Sequence, residues 1–218
     1  MSNDPLFVSP TADGIRIVSE AILQGHLAII PTDTVYGVAA KPTSECVAKL
    51  FTAKQRPPER PVPLLISDVG VLPRVVCEWP DTARQLSQKF WPGALTIVVP
   101  ARHDVPPEIT AGYSTVGIRM PDHAVAKAII ARAGGILAVT SANRSNEPPT
   151  TSARAAAKAL AGSVRYVMDA GETASGLPST VIALNGQTIT LLREGAISLS
   201  RLHEALRCIA PQAKIVRA

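Results

Sequence analysis

Four polar loops hold the residues of this sequence that could do chemistry, and each follows an apolar segment. The first contains Thr32, Asp33 and Thr34 after the apolar run LAII, where two hydroxyls and a carboxylate could bind a small polar ligand. The same residue types also form turns by bonding to their own backbone, so the residues leave both interpretations open. Ligand sites in open α/β sheets lie in loops at strand ends, which makes this loop a candidate site.

The second loop is basic and stiffened by proline. It carries Lys54, Arg56 and Arg60 within the stretch KQRPPERP. Arginine offers a fork of donors to phosphate oxygens and lysine adds a point charge, so the three side chains could clamp a polyphosphate. A solvated basic loop would have the same composition and is the alternative interpretation.

The remaining two loops add one cation and a group of small polar residues. Arg119 ends the apolar segment TVGIR, where it needs either an ion-pair partner or an anion. The segment TSANRS follows the apolar run GILAV, and its hydroxyls and backbone N–H groups could cradle a phosphate or cap a helix. The sequence contains no Walker, GxGxxG, GxSxG or HExxH motif, and the histidines lie away from these loops, so we predict no nucleophile–base pair.

The elements that must position these loops alternate between helices and strands. Helical spacing of apolar residues predicts helices over 12–24, 44–54, 82–90, 123–133, 152–160 and 199–208, with Ser44 as a candidate N-cap. Short apolar runs predict strands at LAII, VPLLIS, LTIVVP and TVGIRM and over 135–140, 164–168, 180–184 and 188–192. Several strands follow one another directly, which predicts an α/β sheet that is not purely parallel.

Composition limits the function classes. The 218 residues carry a net charge of +5, yet only 18% are charged and 4% aromatic, which argues against a disordered polyanion binder and against base stacking. Cys46, Cys77 and Cys208 form no CxxC pair, which favours a reducing compartment and predicts no zinc site. The N-terminal segment has no signal-peptide pattern and no apolar run could span a membrane, so we expect a cytoplasmic protein.

Seven segments, in order, resemble the YrdC/TsaC family of threonylcarbamoyl-AMP synthases. They are PTDTVYGVAA, AKQRP, FWPGALTIVV, TVGIRMP, VTSANRS, GLPSTV and LLREGAI, and they cover about residues 15–198. The resemblance implies an α/β fold with a twisted, open mixed sheet, flanking helices and a concave basic face. It also implies a short form, with a catalytic domain over residues 1–198 and a C-terminal helix and tail over 199–218.

The implied activity is that of a nucleotidyltransferase. It forms threonylcarbamoyl-AMP and pyrophosphate from L-threonine, bicarbonate or CO2, and ATP, with Mg²⁺ bridging the phosphates of ATP and few protein ligands of its own. The product would supply a downstream tRNA threonylcarbamoyl transferase complex, which modifies the adenosine at position 37 of tRNA. The basic concave face could also bind RNA.

The resemblance further implies roles for single residues. Lys54 and Arg56 would be the catalytic cations. L-threonine would be bound by Thr32, Thr34, Tyr36, Arg119 and Ser179. ATP would be bound by Lys54, Arg56, Arg60, Thr115, Ser141, Asn143 and Arg193.

Four positions depart from the family pattern. Leu65 stands where many members have a histidine that helps to hold threonine, and Arg60 stands where many have asparagine. Asn146 replaces a glycine, and Pro149 replaces a nucleotide-binding serine. Two alternative functions therefore stay open: a non-catalytic RNA-binding module, and a YrdC-like paralogue that acts on another carbamoyl adenylate.

Overall fold

A mixed sheet of eleven strands forms the centre of the protein, and helices pack on both of its faces. The computed structural model describes residues 4–218; residues 1–3, the start of the N-terminal segment interpreted above, lie outside this range. The helices α1–α7 are Ala12–Leu23, Ser44–Lys54, Asp81–Phe90, Pro107–Thr110, Ala124–Arg132, Ala153–Ala159 and Leu199–Ile209. The strands β1–β11 are Leu6–Val8, Ala28–Ile30, Gly37–Ala40, Leu64–Ile66, Leu95–Pro100, Thr115–Arg119, Ile136–Ser141, Tyr166–Met168, Thr180–Asn185, Thr188–Arg193 and Lys214–Arg217.

The strands are ordered β1-β8-β2-β3-β7-β4-β6-β5-β9-β10-β11, and the sheet is open because β1 and β11 end the order. Neighbours pair in parallel at β1–β8, β8–β2, β4–β6, β5–β9 and β10–β11, and antiparallel elsewhere. The predicted mixed, open α/β sheet with flanking helices is confirmed.

The two faces of the sheet are covered to different extents. On one face, α2, α3, α6 and α7 contribute to a hydrophobic core that reaches from β8 to β10. On the other face, α1 and α5 pack over β8, β2, β3, β7 and β4, through side chains such as Val18, Ile22 and Ile129. Beyond β4 the same face continues onto β6, β5 and β9, where it carries polar and small side chains.

The local elements differ from the sequence predictions at a few places. Helix α2 begins at Ser44, but Thr43 is its N-cap residue, because Thr43 has extended backbone angles and Ser44 is already helical. The strands β1, β3 and β11, the single-turn α4 and a 3-10 helix over Val69–Arg74 were not predicted. No helix in residues 4–218 is long and apolar enough to cross a membrane.

The C-terminal segment adds a helix and an edge strand to the sheet. Helix α7 buries Leu202, Ala205 and Leu206 in the main core. The residues predicted as a tail form β11, which pairs in parallel with β10. The division of the chain into a domain over 1–198 and a segment over 199–218 stays a prediction.

Candidate active site

Side-chain alternation along β6 separates the core from the candidate site. Val116 and Ile118 are buried in the main core, so Thr115, Gly117 and Arg119 lie on the opposite face. Thr115 and Gly117 are partly exposed there, on the half of the sheet beyond the apolar cluster of α1 and α5. We refer to this half of the face, together with the polar loops that border it, as the cleft.

A bulge at the end of β10 brings Arg193 onto the same face. Leu191 lies opposite Ile182 of β9, and both point into the core. The register then shifts, so that Arg193 lies opposite Val181 and points away from the core. Its guanidinium donates to the backbone oxygen of Ser179 from Nε (3.0 Å) and Nη2 (2.8 Å), and from Nη2 to Ser179 Oγ (3.1 Å).

Arg119 is buried and held on three sides. It donates from Nε to the backbone oxygen of Gly93 (3.0 Å), from Nη1 to Thr34 Oγ1 (3.0 Å), and from Nη2 to Asp33 Oδ1. A guanidinium has five N–H donors, so one on each terminal nitrogen remains for a ligand. The sequence left an ion pair and an anion site as alternatives; the structure shows the ion pair and still leaves two donors.

The first loop uses its hydroxyls in an ordered chain. Thr32 Oγ1 donates to the backbone oxygen of Val35 (2.7 Å) and accepts from the backbone N–H groups of Thr34 and Val35 (3.2 Å each). The hydroxyls of Thr32 and Thr34 lie 2.9 Å apart, where either one can be the donor. Thr34 Oγ1 also accepts from Arg119, so whichever hydroxyl donates, one hydrogen-bonding position of Thr34 is left for a ligand.

Tyr36 connects the first loop to the segment that follows β8. Its side chain is fully buried, and its hydroxyl donates to the backbone oxygen of Gly171 (2.6 Å) and accepts from the backbone N–H of Ala170 (3.2 Å). Burial raises the pKa of this phenol. Tyr36 thus fixes the segment after β8 against the first loop, and its hydroxyl is occupied within the protein.

Lys54, the last residue of α2, lies beneath the loop that follows β7. Its side chain is almost fully buried, and Nζ donates to the backbone oxygens of Ser141 and Asn143. Among residues 4–218 no carboxylate forms a salt bridge with it. Burial and the charge of Arg56 lower the pKa of Lys54 to about 8, although Glu147 acts in the opposite direction.

The basic loop folds back on itself through Arg56 and Arg60. Arg56 donates from Nε to the backbone oxygen of Arg60 (3.2 Å) and from Nη2 to that of Pro61 (2.9 Å). Arg60 Nη1 donates to Asn146 Oδ1 (3.0 Å). Asn146 has a φ of +69°, a left-handed conformation that asparagine tolerates better than most residues, so the glycine expected there is replaced without a change of backbone class.

Asn143 holds the loop after β7 in shape. Its Nδ2 donates to the backbone oxygens of Arg144 (2.8 Å) and Glu147 (2.6 Å). Its Oδ1 is buried and has no hydrogen-bond partner among the described residues. Both amide protons are therefore used, and the atom left for a ligand is an acceptor suited to a hydroxyl or amine rather than to a phosphate oxygen. Ser141 and Thr115 lie at the ends of β7 and β6 beside the cleft.

The cations of the cleft form a series in which the positive charge of one lowers the pKa of the next. Burial, then the charges of Arg60 and Arg193, lower the pKa of Arg56 to about 10. Burial, then the charge of Arg119, lower the pKa of Arg193. The series runs from Arg119 through Arg193 and Arg56 to Lys54 and Arg60, and within residues 4–218 only Arg119 has a carboxylate partner. Lys54 and Arg119 are buried, Arg56 is partly buried, and Arg60 and Arg193 are exposed. Such a row of mutually repelling cations suits a polyanion.

Sequence reasoning did not assign three residues that contact the predicted ones. Asp33 pairs with Arg119, Gly93 accepts from the same guanidinium, and Thr96 Oγ1 lies 2.8 Å from Ser179 Oγ. Strand alternation was a usable signal for Thr96, which is a polar residue facing away from the core in the apolar strand β5.

Leu65 and Pro149, two of the positions that depart from the family pattern, lie in or near the cleft. Leu65 lies beside Arg119 in the sheet and is buried in the apolar cluster of α1 and α5. A buried apolar side chain therefore lies where the resemblance predicts a histidine. Pro149 is partly exposed in the loop after β7.

The fold and the cleft together define an α/β protein with a row of cations on the half-covered face of an open mixed sheet. Comparison with known proteins makes the class specific. The family model Sua5/YciO/YrdC, described as "Telomere recombination", matches residues 20–195, and the chain belongs to this family.

Two relatives and one solved structure illustrate the similarity. The threonylcarbamoyl-AMP synthase of Pyrococcus abyssi is 38% identical over 193 residues, which cover 88% of this chain and 57% of the relative. That of Bacillus subtilis is 35% identical over 207 residues, 94% of this chain and 58% of the relative. The chain thus spans little more than half the length of these relatives. The structure of P. abyssi Sua5 complexed with L-threonine has a TM-score of 0.90 at 35% identity and covers 97% of this chain and 62% of that one.

Proposed function

We propose that the protein is a threonylcarbamoyl-AMP synthase, which joins L-threonine, bicarbonate or CO2, and ATP and releases pyrophosphate. The observation that carries the proposal is the series of cations. At one end Arg119 has two N–H donors left for a ligand, and at the other end the basic loop has no carboxylate partner among residues 4–218. An amino-acid carboxylate and a triphosphate are the two anions of this reaction. The names of the relatives above support the same activity.

The chemistry needs positioning and charge neutralisation more than a protein nucleophile. The amine of L-threonine forms a bond to the carbon of CO2 and loses a proton, which gives a carbamate. A carbamate oxygen then attacks the α-phosphorus of ATP, and the bond to the β-phosphate breaks as pyrophosphate leaves. The second step brings two anions together, so fixed cations lower its barrier by holding the reactants and by offsetting charge that develops on the leaving group.

In this proposal the two ends of the cleft have different ligands. The two free donors of Arg119 bind the threonine carboxylate, with Thr34 and Ser179 beside it and Thr32 and Tyr36 supporting the loop. ATP binds along the remaining cations and small polar residues: Arg193, Arg56, Lys54, Arg60, Thr115, Ser141 and Asn143. Lys54 and Arg56 are the catalytic cations in this scheme, because they are more buried than Arg60 and because Lys54 donates to the backbone of the loop after β7.

Mg²⁺ would reach the site on the nucleotide. The described residues contain no group of three or more His, Cys, Asp or Glu side chains that could hold a metal ion. The donors at the proposed triphosphate end are cationic, so phosphate oxygens and water would be the main ligands of Mg²⁺, as is usual for nucleotide substrates.

Three further expectations accompany the proposal. The product would pass to a tRNA threonylcarbamoyl transferase complex, the protein would act in the cytoplasm, and the basic concave face could bind RNA. Each of these stays a prediction from the resemblance.

Release of pyrophosphate from ATP and bicarbonate, measured with and without L-threonine, tests the proposal. We expect release that depends on threonine. Release without threonine would instead favour a paralogue with another substrate, and no release under any condition would favour an RNA-binding module, whose affinity should fall steeply with salt.

Variants of the basic loop sharpen the test. Lys54→Ala and Arg56→Ala should lower the rate of pyrophosphate release by at least about 100-fold, since each removes a fixed charge from the reacting phosphates. Lys49→Ala is the matched control, because Lys49 lies on the exposed side of α2 and pairs with Glu45. Rates like those of the wild type in both cleft variants, with unchanged circular dichroism, would contradict the assigned roles.

A further inference from the structure

Asp33 is the one carboxylate in residues 4–218 that forms a salt bridge with a cation of the cleft. Its side chain is 15% exposed, and Oδ1 accepts from Arg119 Nη2 and from the backbone N–H of Asp122 (3.1 Å). Asp33 follows β2 and Asp122 follows β6, two strands that are not neighbours in the sheet. A single carboxylate oxygen thus ties together two loops that border the cleft.

The orientation of Arg119 depends on three acceptors from two separate segments. Gly93 precedes β5, Thr34 lies in the loop after β2, and Asp33 is the only charged acceptor of the three. A buried guanidinium without a counter-charge is costly, and a charge-assisted bond is stronger than a neutral one. Asp33 is therefore the dominant restraint on this side chain.

Asp33 also limits the repulsion between Arg119 and Arg193. The positive charge of Arg119 acts on Arg193, which has no carboxylate partner among residues 4–218. With Asp33 ionised, the Arg119–Asp33 pair is neutral as a unit, so the two guanidinium groups can remain close together before any substrate binds.

We propose that Asp33 is a positioning residue for substrate recognition: it holds Arg119 so that the two N–H donors left free inside the protein stay fixed for the carboxylate of the amino-acid substrate. This inference rests on the proposed function. Asp33 acts through Arg119 and does not take part in the chemical step.

Steady-state kinetics of pyrophosphate release, with L-threonine and ATP varied separately, test this role. Asp33→Asn keeps an oxygen acceptor but loses the charge, so the KM for L-threonine should rise about tenfold, the change that corresponds to one charge-assisted bond. Asp33→Ala loses both, and the KM should rise about 100-fold. The kcat at saturating threonine and the KM for ATP should stay within about threefold of the wild type, because the triphosphate end is unchanged.

Asp122→Asn is the matched control, since only the backbone N–H of Asp122 contacts Asp33. Its KM for threonine should equal that of the wild type. L-Threoninamide, which lacks the carboxylate, provides a second readout. As a competitor it should bind the wild type far more weakly than L-threonine does, and the difference should shrink in both Asp33 variants.

The outcomes separate the two claims. If the wild-type protein shows no threonine-dependent release of pyrophosphate, the proposed function itself is wrong. An active wild type whose Asp33 variants keep the threonine KM and the discrimination against threoninamide would overturn only the role of Asp33. A fall in kcat with unchanged KM values would also overturn it, because Asp33 would then act in the chemical step.

Discussion

Lys54 carries its charge in a place that water barely reaches. The ammonium group donates to two backbone oxygens and has the charge of Arg56 nearby, and burial lowers its pKa to about 8. The free protein therefore begins to lose this charge just above neutral pH, whereas an ordinary lysine would keep it. A polyanion restores the proton, because the bound phosphates favour the charged form.

The affinity for ATP should consequently decrease as the pH rises through about 8. Protonated Lys54 binds the triphosphate better, and above its pKa the free protein must first take up a proton, so the Kd should rise by up to tenfold per pH unit. The phosphate groups of ATP have a second pKa of about 6, so they are already ionised between pH 7 and 9. Titration calorimetry between pH 7 and 9 measures the effect.

Lys54→Met is the control for this pH dependence. The variant should bind ATP more weakly at pH 7 and show a Kd that is nearly flat up to pH 9, since Arg56 titrates only at about 10. A rise of equal slope in the variant would assign the titration to another group.

Single residues were predictable where their type conflicts with their position. Lys54 and Arg56 stand out in a proline-stiffened basic loop and Arg119 stands out as a cation at the end of an apolar strand, whereas Arg193 was assigned only from the resemblance. The structure brings all four into one electrostatic series. The partner of Arg119 was not predictable, because Asp33 suits an ordinary turn equally well and the contact joins loops 86 positions apart in sequence.

At the scale of elements, the end of β10 depends on a close approach between two backbones. A Cβ atom added to Gly195 would lie 2.2 Å from the backbone oxygen of Pro178 and 2.7 Å from that of Ser179. The N–H of Gly195 donates to Thr180 Oγ1 (2.9 Å). Since both obstructing atoms are backbone, a side chain at 195 must displace the start of β9 or the residues after the bulge.

Gly195→Ala should therefore lower the free energy of unfolding by about 2 kcal/mol, a cost typical of overpacking. It should also raise the KM for ATP, because Arg193 and its acceptor Ser179 flank the displaced backbone. Denaturant unfolding and pyrophosphate release measure the two effects. Gly70→Ala is a suitable control, since its new Cβ would meet only the end of the exposed Asp68 side chain, and an equal loss in both variants would contradict the argument.

Most helices and strands were predictable because their apolar spacing is strong. The exceptions are β1, β3 and β11. β1 and β11 are edge strands of three and four residues whose conformation depends on a neighbouring strand rather than on their own sequence, and β3 has the sequence GVAA, in which only Val favours a strand. The bulge in β10 was likewise not predictable: TITLLR contains two consecutive leucines, and no residue marks where the register shifts.

At the scale of the whole molecule, the positive charge is concentrated where it opposes folding. The net charge of +5 includes the cations of the cleft, which repel one another when no anion is bound. A ligand that binds the folded state and neutralises them must stabilise the protein.

ATP at about 100 times its Kd should raise the unfolding free energy by about 2.7 kcal/mol. For a chain of this size that corresponds to an increase in Tm of roughly 5–10 °C. Thermal unfolding followed by circular dichroism measures it. Added NaCl should reduce the increase by screening, and Arg56→Ala should abolish most of it; an undiminished shift in that variant would show that ATP binds elsewhere.

The helices cover one face of the sheet only in part, and the substrates would bind to the uncovered part. Over β2, β3, β7 and β4 the sheet lies between two layers of helices, whereas β6, β5 and β9 have a helical layer on one side only. Bound nucleotide and amino acid would lie where α1 and α5 would continue if they extended across the face. In the protein with both substrates bound, the reactants would cover the part of this face that α1 and α5 leave open. Substrate binding would then bury this part of the sheet, and product release would expose it again.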